Sequence, residues 1–183
     1  VVVLLGVLAA WSLRDRPAIE RRAWILLADV ENATRDSVFT RALDPVLLAR
    51  LQQSDYVSVF PRSRVDQTLA RMGRASGEIA NVRLDESVAR EVARREGIHA
   101  VVLGAIHEVD SSYTINARVV DAATGDVLAA EHRLVPRRAD VIGGVEELVR
   151  ALRRAIGESA DAVARHDVPL PLATTSSLEA LRK

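Results

Sequence analysis

The chain contains no cysteine, which excludes disulfides, thiol catalysis and zinc–thiolate sites. Aromatic residues are nearly as scarce: two Phe, two Tyr and two Trp among 183 residues, although 49% of the chain is hydrophobic. Any core must therefore be aliphatic, built from Val, Leu, Ile and Ala. Net charge is absent as well. The 25 basic and 25 acidic residues cancel, which argues against a nucleic-acid surface, where a basic excess would be expected. All the basic residues except Lys183 are arginine, a usage that GC-rich coding explains more simply than an arginine-based site. Phosphate-binding loops are also missing: neither Gly104 nor Gly125 lies in a G-x-G-x-x-G or G-x-x-x-x-G-K pattern that opens a helix. What remains is length enough for one domain of ordinary size with short appendages.

The appendages lie at the two ends. Val1 to Leu13 (VVVLLGVLAAWSL) is uncharged and almost wholly apolar. A membrane-spanning helix needs about 20 such residues, so residues 1–13 read as the C-terminal part of a transmembrane helix. Trp11, followed by Arg14, Asp15 and Arg16, has the composition of a membrane–water boundary. The alternatives are a cleaved signal-peptide core and a buried helix of the domain. Residues 14–22 are a juxtamembrane linker, whose four arginines would favour a cytoplasmic domain; the positive-inside rule, however, needs the opposite flank for comparison. At the other end, Pro169 and Pro171 make residues 167–175 an extended linker. Ser176 and Ser177 before Leu178 and Leu181 then read as the start of a C-terminal helical region, residues 176–183.

Between them, residues 23–166 form one α/β domain. Trp24 to Val30 is a continuous apolar run of strand length. Ser37 to Gln53 has helical spacing, with Pro45 either kinking the helix or marking its start after Asp44. Tyr56 to Phe60 alternates as a strand; Ser63 caps a helix to Met72; Arg74 to Val82 is loop-like; and Asp85 caps a helix over Glu86–Glu96. Residues 98–135 give three consecutive strands, the first apolar on both faces (Val101, Leu103, Ala105 against Val102, Gly104, Ile106) and the second half-exposed. Ser111–Ser112 and Asp121–Asp126 make the turns, Gly125 supplying a positive φ. Ala139 to Val163 is a long amphipathic helix that Gly143, Gly144 and Gly157 weaken. The order β-α-β-α-α-β-β-β-α predicts a mixed sheet of about five strands, parallel through its crossovers and antiparallel at its final hairpins, with helices packed against it.

Little in this frame carries chemistry. His99, His107, His132 and His166 are scattered, and the meander places a strand between His107 and His132, so no metal ligand set is expected. Asp29, Glu31 and Asp36 cluster after the first strand and could hold a cation; helix capping and solvated loop positions explain them more simply. The pairs Arg94–Arg95, Arg137–Arg138 and Arg153–Arg154 read as solvated faces and partners of helix C-termini. The parallel crossovers leave a crevice at the carboxyl ends of the first two strands. Glu31, Asn32, Thr34, Arg35, Arg62 and Arg64 would rim it, suited to a polar ligand or a partner's loop, with Thr124 and Asp126 of the last hairpin as the competing location.

Five segments carry a family resemblance: WILLADVENAT (24–34), LARLQQSDYVSVFPRSRV (48–65), VAREVARREGIHAVVLGAI (88–106), ARVVDAATGDVLA (117–129) and DVPLPLATTSSLEALRK (167–183). Together they resemble the TolB amino-terminal-like module, related in pattern to the α/β domain of curli-type secretion lipoproteins. The resemblance implies a non-catalytic, membrane-tethered sensory or scaffolding module of a bacterial signalling protein. It would be the extracytoplasmic part of a single-pass inner-membrane protein, such as a serine/threonine kinase with C-terminal tetratricopeptide repeats. Its partner would be a protein or a small polar ligand, with membrane attachment through residues 1–13, no nucleic acid and no cofactor. No glycine-rich loop, HRD or DFG motif occurs here, so any kinase domain would lie upstream of Val1. Two other readings stand beside this one. A soluble periplasmic subunit of an envelope complex requires residues 1–13 to be a cleaved signal; a cation-dependent hydrolase would use Asp29, Glu31 and Asp36.

Overall fold

A computed structural model describes residues 18–79 and 81–167. The apolar tract 1–13, the proline linker from residue 168 and the helix start at 176–183 lie outside these residues. The strands are β1 (Ala23–Leu27), β2 (Glu31–Ala33), β3 (Val57–Val59), β4 (Ala100–Val109), β5 (Ser112–Asp121) and β6 (Val127–Val135). The helices are α1 (Phe39–Leu51), α2 (Arg62–Arg71), α3 (Ser76–Ile79), α4 (Glu86–Arg95), α5 (Val141–Ala155) and α6 (Ala160–Arg165). One six-stranded mixed sheet has the order β3-β1-β4-β5-β6, with β2 also beside β4. β1 pairs in parallel with β3 and β4, while β4, β5 and β6 form an antiparallel meander. Among the described residues no helix is long and apolar enough to cross a membrane.

The alternation of side chains divides the core in two. On one face, Ile25, Val102, Ile106, Ile115, Ala117 and Val119 pack under α1 and α5. On the other, Leu26, Val101, Leu103 and Val120 pack under α2 and α4 through Val65, Leu69, Ala89 and Val92. β4 thus carries an unbroken buried run from Ala100 to Ile106, as its two apolar faces require. The turn between β4 and β5 falls one residue earlier than Ser111–Ser112. Asp110 takes the left-handed conformation (φ 55°), and Ser112 is already paired with Val109.

Four features of the sequence reading change. The first strand stops at Leu27, and a separate β2 follows. Leu27 pairs with Val102 and Glu31 with Ala105, so three residues, 28–30, oppose two on β4, an excess that interrupts the ladder as a bulge does. The triplet Glu31-Asn32-Ala33, two of its three residues polar, does not look like a strand; it pairs because the chain has already been carried there. Gly104 makes room for this detour, since a Cβ on it would stand 3.2 Å from Val30 Cγ2. Second, α1 starts at Phe39 and runs through Pro45. The carbonyl that Pro45 cannot serve belongs to Arg41, and both residues are exposed, so water can take it. Third, α2 begins at Arg62 with Pro61 at its N-cap and no side-chain cap, and the 74–82 loop contains the short α3. Asp85 does cap α4, accepting from Val88 N at 2.9 Å.

The fourth change is at the long C-terminal helix, which is two helices. α5 ends at Ala155; Gly157 takes φ 119°, and Ser159 caps α6 by accepting from Ala162 N. The break places Glu158 inside the protein, only 4% exposed, against Arg153, which is 1% exposed. Arg153 donates to both carboxylate oxygens (2.8 and 2.7 Å) and to Gln53 O, while Ser54 Oγ donates to Glu158 Oε2 at 2.7 Å. Arg153 is therefore not part of a solvated face. It is half of a buried, fully bonded ion pair that ties the end of α5 to the end of α1.

Candidate binding crevice

β1 lies between β3 and β4. The connection from β1 through α1 to β3 covers one face, and the connection from β3 through α2, α3 and α4 to β4 covers the other. The chain therefore leaves neighbouring strands in opposite directions, and a crevice opens at their carboxyl ends. Its volume is about 790 Å³. Leu27, Ala28 and Val30 line it from the sheet, Pro45 and Leu48 from α1, and Val59, Phe60, Pro61 and Val65 from the β3–α2 side. The lining is largely apolar, unlike the polar rim expected from the sequence.

Charged groups at the mouth are all committed to the protein. Asp29 Oδ1 accepts from Arg62 Nη1 at 2.6 Å and Asp29 Oδ2 from Leu84 N at 2.6 Å. Arg62 also reaches Val82 O (3.3 Å) and Asp66 (3.4 Å). Arg83 Nη2 donates to Val30 O at 3.2 Å, and Asp44 Oδ1 accepts from Val30 N at 2.8 Å. The β1–β2 detour strips Val30 of ladder partners, and these two side chains replace them. Burial pushes the Asp44 carboxyl above its ordinary range and the Asp29 charge adds to this, against the hydrogen bond from Val30 N.

The six residues expected at the rim do not converge on this crevice. Arg62 alone lines the crevice. Arg64 stands outside it with its guanidinium 5.9 Å from the Phe60 ring centre, which Trp24 meets edge-on. Glu31 lies on a second groove of about 640 Å³ over the open part of the sheet, with Arg83, Glu86, His107, Asn116 and Arg118. Asn32 staples its own loop: its amide donates to Asp36 O and Thr40 Oγ1, and its Oδ1 accepts from Thr34 N and Thr34 Oγ1. Thr34 is thereby used up within that loop. Arg35 is held through its backbone N–H by Glu108 (3.2 Å), near Asp110.

The cation cluster fails for the same reason. Asp29 is paired with Arg62, whereas Asp36 bonds Arg138 at 2.5 Å and caps Val38 N. Among the described residues no three His, Asp or Glu side chains converge as metal ligands. Thr124 and Asp126 belong to a turn closed on itself, where Asp121 Oδ1 accepts from Ala123 N and Thr124 N and Thr124 Oγ1 accepts from Asp126 N. Arg90 clamps that turn to α4 through Ala122 O and Ala123 O. The residues that sequence reasoning missed are the apolar ones, Leu48, Phe60 and Val65, together with Asp44 and Arg83. Phe60-Pro61 at the end of β3 and Pro45 in α1 were the only marks in the sequence that helices here would stand apart.

Fold and crevice define a helix-flanked α/β module with a preformed, apolar-floored opening at a topological switch point. The chain belongs to the FlgO family, whose model matches residues 16–140. No curated protein matches it by sequence. Among solved structures it is similar to the LpoB C-terminal domain from Escherichia coli, at 16% identity and TM-score 0.55, covering 64% of this chain and 84% of that one. The LpoB C-terminal domain from Salmonella enterica follows, at 15% identity and TM-score 0.50, covering 65% and 86%. TolB from Acinetobacter baumannii matches more loosely, at 15% identity and TM-score 0.44, covering 76% of this chain and 28% of that one. These likenesses concern the fold, and they give no support to the kinase and tetratricopeptide setting.

Proposed function

We propose that this chain is a non-catalytic protein-interaction module of the bacterial cell envelope that seats a partner's loop in the crevice between α1 and α2. The observation that carries this is the combination of an apolar floor with a mouth whose carboxylates and guanidiniums are already bonded to the protein. Such an opening offers area and shape to an apolar anchor and holds no free acid–base pair for turnover. Membership of the FlgO family and the LpoB-type fold support the envelope setting. Residues 1–13 would tether the module as the end of a membrane helix, with the domain outside the cytoplasm; cleavage of that tract would make the same module a soluble periplasmic subunit.

Photo-crosslinking residues placed at Leu48 and Arg62 in the intact protein test this reading. Both positions should capture one and the same partner in cells. Leu48→Lys, at a half-buried position on the crevice wall, should abolish the capture from Arg62 while leaving thermal unfolding nearly unchanged. Capture from Thr124 and Asp126 instead, indifferent to Leu48→Lys, would move the site to the hairpin.

A further inference from the structure

The two edges of the sheet differ. β3 is only three residues long, whereas β6 runs for nine, from Val127 to Val135, without proline or glycine. Among the described residues its substantial contacts are with β5 on one side and α5 on one face. A long regular edge of this kind presents a row of outward backbone donors and acceptors to any strand that fits. Leu134, 70% exposed, and Val127, 55% exposed, stand on it unburied.

We propose that β6 pairs antiparallel with β6 of a second copy of this chain, across a two-fold axis at His132, joining the two sheets into one. Charge chooses among the registers centred on the middle of the strand, at Glu131, His132 and Arg133. In a continuous sheet with the two-fold axis perpendicular to it, opposed residues share a face, so the axis must pass midway between two copies of the same residue. An axis at Glu131 sets two carboxylates opposite each other, and an axis at Arg133 sets two guanidiniums opposite each other; like charges directly opposed are unfavourable. An axis at His132 instead opposes Glu131 to Arg133 of the second copy twice over, and Leu134 to Ala130 twice. Glu131 and Arg133 are both half-buried on the α5 side of the strand, 3.4 Å apart within one chain, so the four groups would form one alternating cluster. Edge pairing alone buries less than about 1,200 Å², which sets the expectation of a weak, micromolar dimer.

Sedimentation velocity on the full chain over a range of concentrations tests this. The chain should pass from monomer to dimer. Glu131→Arg or Arg133→Glu alone turns both cross-strand pairs repulsive and should weaken the dimer roughly tenfold, while the double exchange should restore it. Because the chain has no native cysteine, a single thiol reports the axis cleanly. His132→Cys should cross-link to a disulfide dimer under mild oxidation, and Glu131→Cys should not. A chain that stays monomeric throughout overturns the proposal, as does a dimer indifferent to both charge reversals or one trapped by Glu131→Cys in place of His132→Cys. Circular dichroism of each variant separates loss of pairing from loss of fold.

Discussion

The two faces of the sheet are covered unequally. α1 and α5 span one face from β3 to β6, so Ile25, Ile106, Ile115, Val135 and Leu152 share a single apolar layer. On the other face α2 and α4 reach only as far as β4 and the start of the hairpins, and the cover then stops. One row of aligned residues crosses this boundary: Leu103 on β4 is 8% exposed, while Arg118 and Ala130, its neighbours in register on β5 and β6, are exposed. Burial in this fold thus follows the position of helices rather than strand identity. The crevice and the open groove both lie where helix cover ends.

The sharpest way to break that comparison is to place the same charge on both sides of the boundary. Leu103→Asp puts a carboxylate beneath α4 with only the cross-strand Arg118, already bonded to Glu86, to meet it, and should cost about 4 kcal/mol, a large share of an ordinary domain's stability. Leu134→Asp, on the uncovered side of the same face, should change stability by no more than about 0.5 kcal/mol. Urea unfolding at concentrations too low for self-association measures both. A Leu103→Asp variant that melted with the parent would show that α4 does not cover β4.

A smaller effect probes the fully covered face. Glu158→Ala leaves Arg153 buried without its carboxylate and should cost about 3 kcal/mol. The pair also sets a pH dependence. Burial alone would raise the Glu158 carboxyl, but hydrogen bonds from Arg153 and Ser54 and the charge of Arg153 more than offset it and hold the group below its ordinary value. A carboxyl lowered on folding contributes stability that is complete above its unfolded value and is lost as pH falls through its folded one. Stability of the parent should therefore fall below about pH 4.5. In Glu158→Ala that part of the acid slope should be missing, as acid titration of the unfolding free energy would show.

Much of the architecture was legible because it rests on period. The two-sided apolar run of β4, the alternation of β5, the Asp85 cap and the crossovers that create the switch point all follow from local patterns. What escaped rests on contacts distant in sequence. β2 is polar and becomes a strand only because β4 lies beside it. Arg153 and Glu158 look like surface charges until Gly157 turns the chain and buries them against Ser54, which lies 104 positions away from Glu158. That a crevice opens at the carboxyl ends of β1 and β3 follows from the crossovers. Its lining does not, since loops read as polar while the walls are the apolar flanks of α1 and α2.

The glycines of α5 give the smallest and finest test of unequal cover, now within one helix. Read along the sequence, Gly143 and Gly144 weaken the helix equally. In the structure they do different things. Gly143 is exposed, and a Cβ there would meet nothing within 4 Å. At Gly144 a Cβ would stand 2.5 Å from Val135 Cγ2 and 3.3 Å from Ile115 Cδ1, so this glycine is what lets α5 approach β6 closely. Gly143→Ala should then stabilise by about 1 kcal/mol, the ordinary helical gain. Gly144→Ala gains the same propensity but must push α5 away from Val135, and overpacking of this kind costs about 1–3 kcal/mol, leaving a net loss or at best no gain. Chemical denaturation of the two single variants decides it: equal stabilisation by both would mean that α5 does not sit against β6 at this distance.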